Sequence, residues 1–211
     1  MGRSGFGRVL AAALAGLLAA CTAAPPAPPP PPPPDPAAAC LLGLDQRHLV
    51  YDRLKDWHTP EGCGIEAAVR VKRSAFEWNR PALMSCLLAT RLADFETAVV
   101  QPAAERLFGH HVRKMTNVGS YDCRNIRGTH AERMSEHARG LAIDLTGFEL
   151  DDGSAVSVRR DWHGNGPKSQ FLHQVAKGAC QYFSVVITPN GNALHQDHFH
   201  LDLGPHKYCR D

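Results

Sequence analysis

Ser135-Glu136-His137-Ala138-Arg139-Gly140-Leu141-Ala142-Ile143-Asp144-Leu145 passes from a polar turn into an alternating strand. Leu141, Ile143 and Leu145 fall on one face of that strand and Asp144 on the other. A second stretch, His195-Gln196-Asp197-His198-Phe199-His200-Leu201-Asp202-Leu203, ends the same way. Phe199, Leu201 and Leu203 share one face, and His198, His200 and Asp202 the opposite one. If the two strands are neighbours, Asp144 and His200 converge on the open face of one sheet. His137 then enters from the turn, and Gly140 and Ala142 leave room beside it. Neutral imidazole and carboxylate are ligands that Zn²⁺ accepts, and three protein ligands with one open position is how a catalytic zinc is held. His137, Asp144 and His200 are therefore the expected metal ligands and Zn2+ the expected cofactor. A single histidine on a strand is usually solvated or core; the joint pattern carries the expectation.

Outward from these stretches, the periodicity predicts helices first and strands second. Pro81 to Val99 carries Leu83, Leu87, Leu88, Leu92 and Phe95 at helical spacing, with Pro81 suited to a first turn. Pro102 kinks this helix or opens a second one to Phe108. Residues 119–128 read as a polar loop. Asp151-Asp152-Gly153 is a turn signal, with Ala155 to Val158 as the partner strand of a hairpin. A short helix from Ser169 to Gly178, a strand from Tyr182 to Ile187, a turn at Pro189-Asn190-Gly191-Asn192 and a last strand from His198 to Leu203 complete the chain. The expected class is α+β: N-terminal helices packed on a small, mostly antiparallel sheet that carries the metal site.

The N-terminal residues indicate where the domain works. Arg3 and Arg8 precede an apolar run from Val9 to Ala20 without an acidic residue, which reads as a secretory signal too short to span a membrane. Leu18-Ala19-Ala20-Cys21 resembles a bacterial lipobox, which implies a lipid on Cys21; cleavage after a later alanine such as Ala24 is the plainer alternative. Thr22 rather than Asp after the cysteine resembles the enterobacterial sorting signal for the outer membrane, which is the location that the resemblance implies. Residues 21–39 are a proline-rich linker with an unbroken run from Pro28 to Pro34, an extended spacer of roughly 3.1 Å per residue. Residues 40–211 form one domain. Setting Cys21 aside from the seven cysteines leaves an even number, expected as disulfides in an oxidising compartment, with Cys180 and Cys209 bracketing the second histidine stretch as a pair. Loss of Arg3 and Arg8 takes the formal charge from +2 to about zero. With no basic block and no aromatic-basic interleaving, nucleic acid is not expected as a partner.

Ser-x-His-x6-Asp followed by His-x-His resembles the zinc peptidase superfamily that joins lysostaphin-type peptidases, D-alanyl-D-alanine peptidases and hedgehog domains. His195-Gln196-Asp197-His198-Phe199-His200 is similar to penicillin-insensitive murein endopeptidases, whose ligands map onto His137, Asp144 and His200. Those enzymes carry a further histidine where this chain has Met134, so nothing is carried over at that position. Over nearly the whole domain the chain resembles the bacterial extensin-like C-terminal family, through Gly62-Cys63-Gly64-Ile65, Gln101-Pro102-Ala103-Ala104, Tyr121-Asp122-Cys123-Arg124 and the two histidine stretches. The resemblance implies a zinc metallopeptidase of the periplasm acting on peptidoglycan, cutting an amide bond in stem peptides or cross-links. A D,D-endopeptidase is favoured; a D,D-carboxypeptidase or L,D-specific peptidase is the enzymatic alternative. The non-enzymatic alternative is a wall-binding lipoprotein with a structural or silent metal site. No particular protein partner is implied.

Four residues are candidates for catalysis beside the metal. A general base must stand within hydrogen-bond reach of the attacking water. Asp197 occupies the place where D-alanyl-D-alanine peptidases carry a Glu, and His198 resembles the first histidine of the lysostaphin-type pair. His198 is favoured, with Asp197 orienting it. His195 is a supporting partner, a leaving-group acid or a plain turn residue. Arg124 is a candidate to stabilise an oxyanion, to grip a substrate carboxylate or simply to form a surface ion pair. Ser135 is expected to fix the His137 turn rather than act as a nucleophile. Trp162 and His163 are expected at the cleft, and His110-His111 at the surface.

Overall fold

Two strands with apolar residues on one face and ligand residues on the other must bury the apolar face, and helices supply the cover. The computed structural model describes residues 1–2, 35–126 and 133–210. Most of the expected signal, the expected lipid site at Cys21 and most of the linker lie outside the described residues. The chain divides into Met1–Pro33 and Pro34–Asp211, and the second unit holds the fold. Among the described residues no helix is long and apolar enough to cross a membrane.

The elements in order are α1 (Pro36–Gln46), β1 (Val50–Arg53), β2 (Trp57–His58), β3 (Gly64–Ile65), β4 (Ala68–Arg73), β5 (Glu77–Ser85), α2 (Cys86–Phe95), α3 (Gln101–Phe108), β6 (Val112–Gly119), β7 (Ala142–Leu150), β8 (Ala155–Ser157), α4 (Val158–Asp161), α5 (Pro167–Ala179), β9 (Val185–Ile187), β10 (Phe199–Asp202) and β11 (Tyr208–Arg210). The main sheet runs β1-β4-β5-β6-β7-β10-β9-β11, with β8 also on β7, and β2 and β3 pair separately. Among the described residues only β5 with β6 and β11 with β9 run parallel. The class is α+β with a mostly antiparallel sheet, as expected. One face is packed by Leu88, Leu92 and Phe95 of α2 and by Phe171, Leu172 and Val175 of α5, against Ile143, Leu145, Phe199 and Leu201.

Several expected boundaries shift. The helix predicted from Pro81 begins at Cys86, where Ser85 Oγ accepts the Leu88 N–H at 3.2 Å as its N-cap. Ala82, Leu83 and Met84 instead pair with Val71, Arg70 and Val69 of β4. Pro81 falls where that ladder is irregular, a position that a residue without an N–H tolerates. Strands β1, β4 and β5 therefore lie between α1 and α2, where the expected order had helices first. α1 takes residues 36–39 from the expected linker, with Asp35 accepting the Ala37 N–H at 2.9 Å. Pro102 opens α3, after a π-helical stretch over Glu96–Val100. Disulfides join Cys40 to Cys86, Cys63 to Cys123 and Cys180 to Cys209, so the expected last pair is present.

Glu96 heads the π-helical stretch and is fully buried. Burial pushes its carboxyl up to about 8, against hydrogen bonds from Ser74 and the Ala75 N–H that lower it. Ser74 Oγ lies 2.8 Å from Oε1 and accepts the Trp78 indole N–H at 2.7 Å. A group whose folded value is raised favours the fold fully below its unfolded value, near 4.5, and loses that contribution as pH rises through 8. Glu96→Gln keeps a donor and an acceptor but does not titrate. The wild type is expected to lose up to about 1.4 kcal/mol per pH unit between those values relative to Glu96→Gln. Thermal unfolding midpoints of the two proteins from pH 5 to 9 check this.

Candidate metal centre

Ser135 starts the turn that presents the first ligand. Its Oγ accepts the His137 N–H at 3.3 Å and caps the 3-10 turn Glu136–Arg139, as its expected role requires. Gly140 ends that turn at φ +63°, where a Cβ would lie 2.5 Å from Ile65 Cδ1. Only glycine lets the turn lean so closely on β3. From there β7 carries Asp144 directly opposite His200 of β10 in the antiparallel ladder.

The three expected ligands meet. His137 Nε2 is 3.2 Å from His200 Nδ1 and 3.3 Å from Asp144 Oδ1, and His200 Nδ1 is 3.1 Å from the same oxygen. His137 Nδ1 donates to the Ser120 carbonyl, which can only accept, so its Nε2 is the ring nitrogen turned toward the shared point. His200 Nε2 donates to Asp202 Oδ2 at 2.9 Å, which turns Nδ1 toward the same point. Electron-rich atoms this close repel one another unless protons or a metal cation lie among them. Ligands ~2.0–2.1 Å from a tetrahedral ion stand about 3.3 Å apart, the spacing seen here. Among the described residues no fourth His, Cys, Asp or Glu joins the group.

The same closeness also favours protons on the imidazoles and an ionised carboxylate between them. Burial alone would raise Asp144, but hydrogen bonds from His137 and His200 hold its carboxyl well below the usual range. Burial would likewise lower His200, but bonds to Asp144 and Asp202 hold it up to about 9. Asp202 was not among the expected site residues. The signal for it is its place two residues beyond His200, on the same strand face.

A cavity of about 570 Å³ opens over the three ligands, and Arg124, His195 and His198 line it. His198 Nδ1 is 2.8 Å from Asp197 Oδ1, and its Nε2 stands 3.7 Å from Asp144 Oδ1. Asp197 itself does not line this cavity; it is half exposed and touches the site through His198. His195 Nδ1 is 2.7 Å from Asn192 Oδ1. Burial, then the neighbouring His198 and His200, push His195 down to about 4, so it is neutral near pH 7. Arg124 is held by Asp122 at 2.7 Å, next to the Cys63–Cys123 disulfide. Trp162 is a correction: it is buried, packs edge-on against Phe199 and donates to Asn190 Oδ1 at 3.0 Å. It belongs to the core beneath β10 rather than to the cavity wall, and His163 is not at the wall either. His110 pairs with Asp151 on the surface at 2.8 Å, as expected.

Fold and site together define an α+β domain with a His/Asp/His candidate metal centre at the floor of an open cavity. Residues 38–210 match the family described as extensin-like protein C-terminus, and the chain belongs to that family. No curated protein and no solved structure matches the chain.

The centre is expected to take up one divalent ion per chain, and His200→Ala to take up none, by elemental analysis after dialysis. Asp202→Ala leaves the three ligands in place but frees the His200 ring. Its metal affinity is expected to fall about 10–100-fold, by competition with a chromophoric chelator.

Proposed function

We propose that the chain is a zinc-dependent peptidoglycan hydrolase that cuts an amide bond in stem peptides or their cross-links, most simply as a D,D-endopeptidase. The observation that carries this reading is the trio His137, Asp144 and His200, with donor atoms 3.1–3.3 Å apart on the floor of an open cavity. Two imidazoles and a carboxylate suit zinc, and three protein ligands suit a catalytic rather than a structural site. The motif resemblance to zinc peptidases that act on peptidoglycan points the same way.

Zinc held there supplies Lewis acidity toward water and toward an amide carbonyl. The protein supplies the proton path. The Asp197 carboxylate accepts a hydrogen bond from His198 Nδ1–H, which leaves the Nε2 lone pair to take a proton from water at the centre. His198 is therefore the assigned general base and Asp197 its positioning residue. His195, neutral and fixed by Asn192, serves as a hydrogen-bonding group beside the reacting amide rather than as an acid. Arg124, tied to Asp122 at the wall, offers its remaining N–H groups to developing negative charge. Three disulfides support an oxidising compartment, in keeping with a domain on the periplasmic side tethered through a lipid on Cys21, with the outer membrane as the favoured site.

Digestion of purified sacculi tests this reading. The wild type is expected to remove cross-linked muropeptide dimers and His200→Ala to leave them. His198→Gln should keep the metal and lose about 10²–10⁴-fold in rate. Shortened monomers with cross-links intact would assign a carboxypeptidase. Unchanged sacculi from metal-loaded, folded protein would leave a wall-binding module.

A further inference from the structure

Arg133 and His206 reach the rim of the metal cavity from separate segments of the chain. Arg133 sits in a short pairing in which Asn125 bridges Met134 and the Ile126 N–H bonds to the Arg133 carbonyl at 2.9 Å. His206 lies between β10 and β11, a segment held by the Gly204 N–H on Asp202 Oδ1 at 2.8 Å and by the Cys180–Cys209 disulfide. Arg133 Nη1 stands 2.9 Å from His206 Nε2. A guanidinium can only donate, so His206 Nε2 accepts and the ring proton sits on Nδ1. The contact joins a cation to a neutral ring, and the cation keeps its full charge.

The nearest acids are drawn to other partners, although Glu136 Oε2 is buried without a hydrogen bond of its own. Among the described residues no carboxylate lies within ion-pair distance of Arg133 or His206. Asp122 holds Arg124 at 2.7 Å, and Glu136, in electrostatic reach of His206, pairs with Arg139 at 3.5 Å. Asp202 is taken by His200 and the Gly204 N–H. Among the described residues the rim therefore carries a guanidinium with no carboxylate partner, and an imidazole N–H beside it, above the candidate metal centre. From this we infer that Arg133 and His206 form a subsite for a free carboxylate on the residue next to the amide that is cut. The inference rests on the hydrolase reading and narrows its substrate class. Peptides with a terminal D-alanyl carboxylate, and cross-links in which the adjoining diamino acid keeps its own carboxylate, both qualify. An amide whose neighbour is capped or uncharged does not.

Binding, measured without turnover, tests the subsite. The zinc-loaded full chain carrying His198→Gln is titrated calorimetrically with three ligands: a stem pentapeptide ending in a free carboxylate, the same peptide as its carboxamide, and a cross-linked tetrapeptide dimer. Adding Arg133→Ala is expected to weaken the free-acid pentapeptide, the dimer or both by about tenfold or more and to leave the carboxamide unchanged. Whichever acid responds identifies the carboxylate source. Arg133→Lys keeps the charge but not the planar fork and should recover part of the loss. His206→Ala, at an exposed position, is a second variant expected to weaken the same ligands about threefold. Equal affinity for acid and carboxamide, an equal loss for both in Arg133→Ala, or no binding of any ligand overturns the subsite. Discriminating titrations with uncut sacculi would reject the hydrolase and keep the subsite; cut sacculi with non-discriminating titrations would do the reverse.

Discussion

The register between β7 and β10 is the constraint from which the site follows. Asp144 and His200 are direct partners across that ladder. A slip of β10 by one residue would turn Phe199 and Leu201 toward the cavity and bury His200 against the helices, away from Asp144. The apolar set Ile143, Leu145, Phe199 and Leu201 is wholly buried in the core and so fixes the register. Packing on one face thus sets chemistry on the other, and the hydrophobic effect positions a carboxylate and an imidazole at ligand distance without any contact of its own with the metal.

What the two strands begin, hydrogen bonds complete. Each imidazole spends one nitrogen on a protein acceptor, His137 on the Ser120 carbonyl and His200 on Asp202, and presents the other to the shared point. This division fixes ring orientation and tautomer together. His198 repeats it one layer out, with Nδ1 on Asp197, and His195 repeats it on Asn192. Four rings held in this way form a graded set: two at the centre, one poised beside it and one kept neutral by burial.

How much of this was legible depended on local pattern. The ligand trio, the β7 and β10 strands, the hairpin to β8 and the Cys180–Cys209 pair all followed from period-two alternation and from short signals beside it. The first half of the fold did not. Val69 and Val71 alternate with Arg70 and Lys72, a strand signature that the more apolar, helix-like spacing of Leu83 to Phe95 overshadowed. Whether Leu83 and Met84 join a helix or a strand is decided by their pairing with Arg70 and Val69, and no local window contains that information. Trp162 was misread for a related reason. Its Gly-rich surroundings suggested a loop lining the cleft, but the ring fills a space beneath Phe199 that only the folded sheet creates. Arg133 carried no motif at all, and its place at the rim depends on a segment that arrives from beyond β10.

The contact between Gly140 and Ile65 has a bearing on dissection of the domain. All three ligands lie between residues 137 and 200, which invites excision of the second half as a minimal metal-binding peptide. The ligand turn, however, rests on Ile65, and the loop before it is crosslinked through Cys63. A fragment starting at β6 would keep every donor atom and lose the buttress that aims the first of them. In this fold the N-terminal hairpins are part of the metal centre although they contribute no ligand to it, and they set the smallest unit that can be cut out intact.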